Sequence, residues 1–369
     1  MGLIRILFLA DTHLGFDFPL RPRIKRRRRG PDFFSNFQKA LEPARRRQVD
    51  AVVHGGDLFF RSKVSAGIAD MAFQPLKEVA SLGVKVFIVP GNHERSRLPF
   101  GLLSLHKNIH VFLKPATYLL SRNDKTLALS GFPYCRKNVR SQFLRLLEDS
   151  GWRQAKKVSH SRLLCIHHLV EGAKVGPVNY TFRSGDDVIR TSDIPADFLA
   201  VLSGHVHRSQ VLKTGLKGLP LRSPILYPGA IERTSFAEKD ETKGYFILEI
   251  EWTNKPGNVL LRWHFQELPT RPMAKISLDV SRLSPQDLRI RLRRVFSCLD
   301  PDSVVKLEVR GDLDERLFPV LQAASLRTLC PEEMTTRLSF PAQLHARPDQ
   351  GSGGKKNCAF PPHFPHFPL

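Results

Sequence analysis

Cysteine is scarce in this 369-residue chain, and its five cysteines are scattered. Cys135, Cys165, Cys298, Cys330 and Cys358 never form a CxxC spacing. That distribution argues against a disulfide framework or a zinc knuckle and points to a reducing compartment. Long apolar runs are missing too. None approaches the roughly 20 residues that a membrane span needs. Leu3–Ala10 is broken by Arg5 and runs straight into Asp11, so it reads as a first strand and not as the core of a signal segment. Ile6 stands where a myristoylation signal after Met1-Gly2 wants Ser or Thr. The expectation is a chain with no membrane association, in the cytoplasm. Negative charge is also in short supply, with 35 Asp and Glu against 57 Lys and Arg and a net charge of +22. The resulting isoelectric point near 10.2 favours an anionic partner, nucleic acid ahead of a membrane surface. No internal repeat is apparent.

What the chain does have is a recurring pattern. Five short apolar runs end directly in His, Asp or Asn: Ile4–Ala10 before Asp11 and His13, Ala51–Val53 before His54 and Asp57, Val84–Pro90 before Asn92 and His93, Leu163–Ile166 before His167, and Phe198–Ser203 before His205 and His207. Between them lie helix signals over Asp32–Arg47, from the N-cap Ser65 to Leu82 with Gly83 as its stop, and from Asn138 to Gly151. Later strands are expected at Ile225–Tyr227, Gly244–Glu251 and Val259–Phe265. The alternation predicts an α/β fold, a mixed β-sheet sandwich flanked by helices. In such folds ligands gather beyond the carboxyl ends of the strands, and Gly55, Gly56, Gly91 and Gly204 let the chain turn there.

Leu268–Pro272 marks a boundary. It separates a larger domain over 1–267 from a small C-terminal α+β domain over 272–340, with elements expected at Lys275–Val280, Pro285–Leu299 and Val304–Val309. Residues 341–369 are a low-complexity run of Gly, Lys, Pro, Phe and His that reads as a disordered tail.

Asp11, His13, Asp57, Asn92, His167, His205 and His207 supply carboxylate oxygen, amide oxygen and imidazole nitrogen without a thiolate. That donor set suits Mn or Fe, with Zn as an alternative. His167, directly after its apolar run, is preferred to the adjacent His168. His54 is expected to hydrogen-bond behind the ligands.

The motifs DxH, GD, GNH, H and GHxH, read in this order, resemble the calcineurin-like metallophosphoesterase superfamily. Asp11-Thr12-His13-Leu14-Gly15, Gly56-Asp57-Leu58-Phe59, Val89-Pro90-Gly91-Asn92-His93, Gly204-His205-Val206-His207-Arg208 and the stretch Tyr227–Arg233 with Phe236-Ala237-Glu238 and Lys243-Gly244-Tyr245 are similar to DNA double-strand-break repair exonucleases of the SbcD type. The resemblance implies two divalent metal ions. One takes Asp11, His13, Asp57 and His207; the other takes Asp57, Asn92, His167 and His205, so that Asp57 bridges them. It implies His93 as the catalytic residue, a catalytic domain over 1–267 followed by a capping domain over 272–340, a homodimer, and an SMC-like ATPase subunit of the SbcC type as partner. Glu94 stands where these enzymes more often have Asp, and is expected to orient His93. Phe60 replaces a histidine that assists catalysis in them; its side chain either packs or stacks on a base.

Residues 21–47 hold eleven Lys or Arg against Asp32 and Glu42 alone. Arg21, Arg23, Lys25, Arg26, Arg27, Arg28 and Arg29 follow the DxH strand and are expected to bind a DNA phosphate backbone with little sequence preference. A second cluster, Arg136, Lys137, Arg140, Arg145, Arg153, Lys156 and Lys157, would extend the track. The leading reading is a metal-dependent DNA exonuclease in repair. The alternatives are a phosphodiesterase or phosphatase for small nucleotides or phosphoproteins, and a scaffold that binds metal and DNA without cutting.

Overall fold

The computed structural model of the chain describes residues 2–22, 26–94, 106–253 and 258–340. Arg23 and Lys25 of the basic run, and the tail 341–369, lie outside the described residues. Two six-stranded mixed sheets form the body. The first runs in the order Val259–Leu268, Lys243–Trp252, Gly2–Leu9, Ala51–His54, Lys85–Ile88, Ile109–Val111. The second runs Gln210–Thr214, Pro220–Tyr227, Ala200–Ser203, Ser161–Ile166, Lys125–Gly131, Ala116–Arg122.

Alternation along the strands sets the layers, because successive side chains point to opposite faces. In the first strand Ile4, Ile6 and Phe8 join the core between the sheets, where they share a cluster with Leu127, Leu129, Leu163 and Leu202. Leu7 and Leu9 face the other way and pack with Phe33, Phe37, Leu76 and Val79 of the helices Gly30–Arg45 and Ala66–Ser81. Beyond the second sheet, Phe143, Leu147 and Trp152 cover Leu164, Val201 and Ile225. The order is therefore helices, sheet, sheet, helices, as the periodicity predicts.

Helix boundaries follow local chemistry. Ser65 caps its helix by accepting a hydrogen bond from the Ile68 amide, and Gly83 follows at φ +94°. Helix Val139–Asp149 is bracketed by left-handed Asn138 and Gly151. The antiparallel pair Ala116–Arg122 and Lys125–Gly131 went unforeseen; it turns through Asn123 at φ +54° and forms the outer edge of the second sheet.

A third, parallel sheet of Met273–Asp279, Val304–Arg310 and Thr335–Ser339 lies under helix Pro285–Ser297, which opens with a capping box between Ser284 and Asp287. Its seam with the first sheet is polar. The buried Arg271 donates to the carbonyls of Asp302 (2.8 Å) and Glu333 (2.6 Å), and Arg27 reaches both Asp32 (2.6 Å) and Glu333 (3.3 Å).

Register delivers the site. Leu9 pairs with His54 and His54 with Ile88, all parallel, so these strand ends stop at one rim. Ser203 pairs with Ile166 in the second sheet and brings its rim alongside.

Candidate metal centre

The turns that leave these strands are conformationally costly. Asp11, His13, Asp57 and His205 all have positive φ, at +50°, +45°, +52° and +80°. L residues adopt this region rarely and keep it only where surrounding contacts enforce it. Here the contacts are main-chain bonds: Asp11 N–H donates to Gly56 O (2.9 Å) and His13 N–H to Asp57 O (3.0 Å). Gly56, at φ +106°, has no room for a side chain, since a Cβ there would meet the His167 ring.

Among the described residues three groups of ligand-bearing atoms result: Asp11, His13 and His207; His13, Asp57 and His93; and Asp57, His167 and His205. Within each, the atoms lie within 4.8 Å of one another. His13 Nε2 faces His207 Nε2 at 2.9 Å. Asn92 Oδ1 faces His205 Nδ1 at 2.8 Å and His167 Nε2 at 3.1 Å. Asp57 Oδ2 lies 3.4 Å from His167 Nε2. The seven residues named from the sequence thus come together, with Asp57 in two of the groups.

The electrostatics fit a cation. Burial, reinforced by neighbouring imidazoles, holds His13 well below its ordinary value and His205 down at about 3, so both stay neutral with a lone pair to offer. Burial lifts Asp11 to about 6 although His167 and His207 oppose it. Asp57 and His167 behave as a pair. Burial would neutralise each, yet their mutual attraction keeps Asp57 well below the usual carboxylate range and raises His167 to about 9. His167 Nδ1 meets the Gly55 carbonyl at 2.7 Å, which fixes the ring with Nε2 toward the cluster.

His93 sits at the rim. Its main-chain N–H donates to Asp57 Oδ1 (2.9 Å), and its Nδ1 meets the Phe60 carbonyl at 2.5 Å. Glu94, expected to orient His93, does something else. Its carboxylate accepts from the amides of Asp57 (2.9 Å), Gly91 (2.7 Å) and Phe59 (2.9 Å), locking the Asp57 and Asn92 turns together. The Phe60 carbonyl has the orienting role instead. The Phe60 ring is half-buried and meets Phe16 edge-on at 4.9 Å.

Residues 4–209, more than half the chain, match the calcineurin-like phosphoesterases. The chain belongs to this family. It is a hydrolase of phosphoester bonds. The phosphoesterase is 26% identical over 325 residues to the DNA double-strand break repair protein Mre11 of Methanosarcina acetivorans, an alignment covering 85% of this chain and 47% of that protein. The Mre11 protein of Methanosarcina mazei is 27% identical over 319 residues, covering 84% and 45%. An uncharacterized metallophosphoesterase of Bacillus subtilis, YhaO, is 22% identical over 340 residues, covering 89% and 73%. The phosphoesterase spans about half the length of the two Methanosarcina relatives. No helix among its described residues is long and apolar enough to cross a membrane.

Beside the ligands, His168 turns away from the cluster. It accepts from the Cys135 amide (2.9 Å) and stacks on Tyr134 with ring centroids 5.0 Å apart. His54 lies behind the site between Thr12 Oγ1 (3.1 Å) and the Gly56 amide (3.2 Å). Tyr134 and Thr234 carry no signal in the sequence. Glu238 and Lys243 stand out there only within the stretch that follows GHxH, yet Glu238 lies 3.2 Å from His207.

The basic run is largely engaged by the protein itself. Arg26 and Arg28 share Asp17 (3.1 and 2.9 Å), and Arg27 holds Asp32. Arg29 is 2% exposed, paired with Glu232 (3.5 Å) and lying over the Phe16 and Phe33 rings. Arg21 remains exposed. In the second cluster Arg153 pairs with Glu148 (2.8 Å) and Lys156 with Asp197 (2.5 Å).

Proposed function

We propose that the chain is a metal-dependent DNA nuclease that hydrolyses phosphodiester bonds in DNA repair, acting on ends as an exonuclease. The observation that carries this reading is Asp57 standing between two oxygen-and-nitrogen ligand groups with His93 beside it. Asp11, His13, Asp57 and His207 would hold one divalent cation, and Asp57, Asn92, His167 and His205 a second. We assign Mn²⁺ to this mixed donor set, with Fe or Zn as alternatives. Bound there, the pair supplies an activated water and charge stabilisation for an in-line displacement at phosphorus.

The chain's own groups do the rest. Main-chain amides and Glu94 hold Asp57 in place, and burial keeps His13 and His205 neutral. The Phe60 carbonyl fixes the Nδ1–H of His93, which leaves Nε2 to carry a proton to the departing oxygen. DNA as the substrate is supported by the net charge of +22 and by the repair proteins among the relatives. A basic contact through Arg21, a homodimer, an SMC-like ATPase partner and a cytoplasmic setting complete the reading.

End-labelled linear and closed circular DNA, incubated with Mn²⁺, Mg²⁺ or EDTA, test it. Mn²⁺-dependent loss of linear DNA that Asp57→Asn and His93→Ala both abolish is the expected result. Intact DNA beside metal-dependent cleavage of bis-p-nitrophenyl phosphate would overturn the nuclease reading in favour of a small phosphodiester substrate.

A further inference from the structure

His207 is gripped from outside the cluster at both its ring and its main chain. Its Nδ1 faces Oε1 of Glu238 at 3.2 Å and Oγ1 of Thr234 at 3.3 Å. The Thr234 hydroxyl spends its one proton on the same Glu238 oxygen, at 2.6 Å. Both neighbours of Nδ1 therefore present lone pairs. Nδ1 must carry the hydrogen, and when the ring is neutral its lone pair lies on Nε2, the atom that faces His13.

Glu238 is buried, and a buried carboxylate needs a countercharge. Lys243 supplies it. Its ammonium, buried with its side chain, lies 2.7 Å from Glu238 Oε2 and also donates to Glu241 Oε2 (2.9 Å) and to the His207 carbonyl (2.8 Å). Three donors meet three acceptors, and one of those acceptors is the main chain of the residue whose ring Glu238 holds.

We propose that Glu238 and Lys243 are positioning residues for the metal site. Glu238 fixes the tautomer and orientation of His207, and Lys243 locks Glu238 and the His207 main chain into one unit. The inference rests on the metal-site reading above and adds two residues that touch neither metal nor substrate. Partners of this kind on a metal-binding histidine typically change metal affinity by about 10- to 100-fold.

Titration of the metal-stripped protein with Mn²⁺, followed by calorimetry and electron paramagnetic resonance, tests it. In Glu238→Leu one of two Mn²⁺ equivalents should weaken by about 10- to 100-fold while the other stays within about twofold. Glu238→Gln, whose amide oxygen still accepts from Nδ1 while its NH₂ meets the Lys243 ammonium donor against donor, should recover part of the loss. A Leu variant that melts earlier but binds both equivalents like wild type overturns the proposal, as does a Gln variant that loses as much as Leu. ¹⁵N resonances of His207 in the metal-free wild type read the tautomer without any substitution. A hydrogen on Nε2 instead of Nδ1 overturns the proposal even where the Leu variant does not fold. Wild-type protein that takes up no Mn²⁺ removes the metal-site reading itself, a failure separate from that of the tautomer.

Discussion

His93 gives its main-chain N–H to Oδ1 of Asp57 at 2.9 Å, while its ring Nε2 stands 3.8 Å from Oδ2 of the same carboxylate. The first, a hydrogen bond, positions the carboxylate; the second is too long for a hydrogen bond and leaves the ring nitrogen available at the rim. His93→Ala keeps the first and deletes the second. It should lower kcat on bis-p-nitrophenyl phosphate by about 10²- to 10⁴-fold with bound metal unchanged. Metal content measured beside the rates decides this, and metal lost in step with activity would sink the assignment.

Glu94 accepts three amide hydrogens, two on Oε2 and one on Oε1. Glu94→Gln can keep the pair but must turn its NH₂ toward the Phe59 N–H, donor against donor. A loss of about 1–3 kcal/mol is expected, read as a shifted midpoint in urea unfolding of the metal-free protein. An unshifted midpoint would contradict the three-amide lock.

The pH dependence of the metal-free chain has a definite sign. Burial, with the Asp57 charge adding, lifts Glu94 to about 8; Asp57 lifts His167 to about 9 against the pull of burial. Both groups bind protons more tightly folded than unfolded, so their contribution is complete below their ordinary values of 4.5 and 6.5 and is lost as pH climbs through 8 and 9. His54 and His205, lowered to about 3 by burial, act oppositely: their contribution is complete above 6.5 and lost as pH falls toward 3. Between pH 6.5 and 9 the melting temperature of the chelated protein should fall, and the rise on adding Mn²⁺ should grow, because the cation displaces the His167 proton. A metal-induced shift that is flat across this window would rule out that exchange.

Arg29 and Arg21 belong to one basic run and should behave as different kinds of residue. Arg29→Ala strands Glu232 in the interior, and losing one member of a buried pair costs about 3–5 kcal/mol. Arg21→Ala should leave stability within about 0.5 kcal/mol and reduce the salt dependence of DNA binding by about one unit of slope. Urea unfolding and binding isotherms at several salt concentrations separate the two. An Arg29 variant that keeps its stability but loses DNA affinity would reverse the assignment.

The clustering of Asp11, His13, Asp57, Asn92, His167, His205 and His207 was legible in the sequence because each follows an apolar run, and parallel register turns five separate run-endings into one rim. The layering was legible for the same reason, since alternation of the Ile4, Ile6 and Phe8 kind states which face meets the second sheet. What supports the ligands was not. Glu94, Glu238, Thr234 and Lys243 act through contacts that depend on turns and on distant strands, and no spacing announces them. The contacts of the basic run were hidden in a similar way. A row of arginines states charge but not partners, and Asp17, Asp32 and Glu232 reach it only in the fold.

The first strand, Gly2–Leu9, pairs on one side with Ala51–His54 and on the other with Lys243–Trp252. As the chain leaves the ribosome, the second partner is about 240 residues late. Until it emerges, Ile4, Ile6 and Phe8 sit on an open edge whose amides and carbonyls can recruit another chain. The strand that closes that edge also carries Lys243 to His207. Protection from misassembly and completion of the site therefore arrive in the same late step of synthesis.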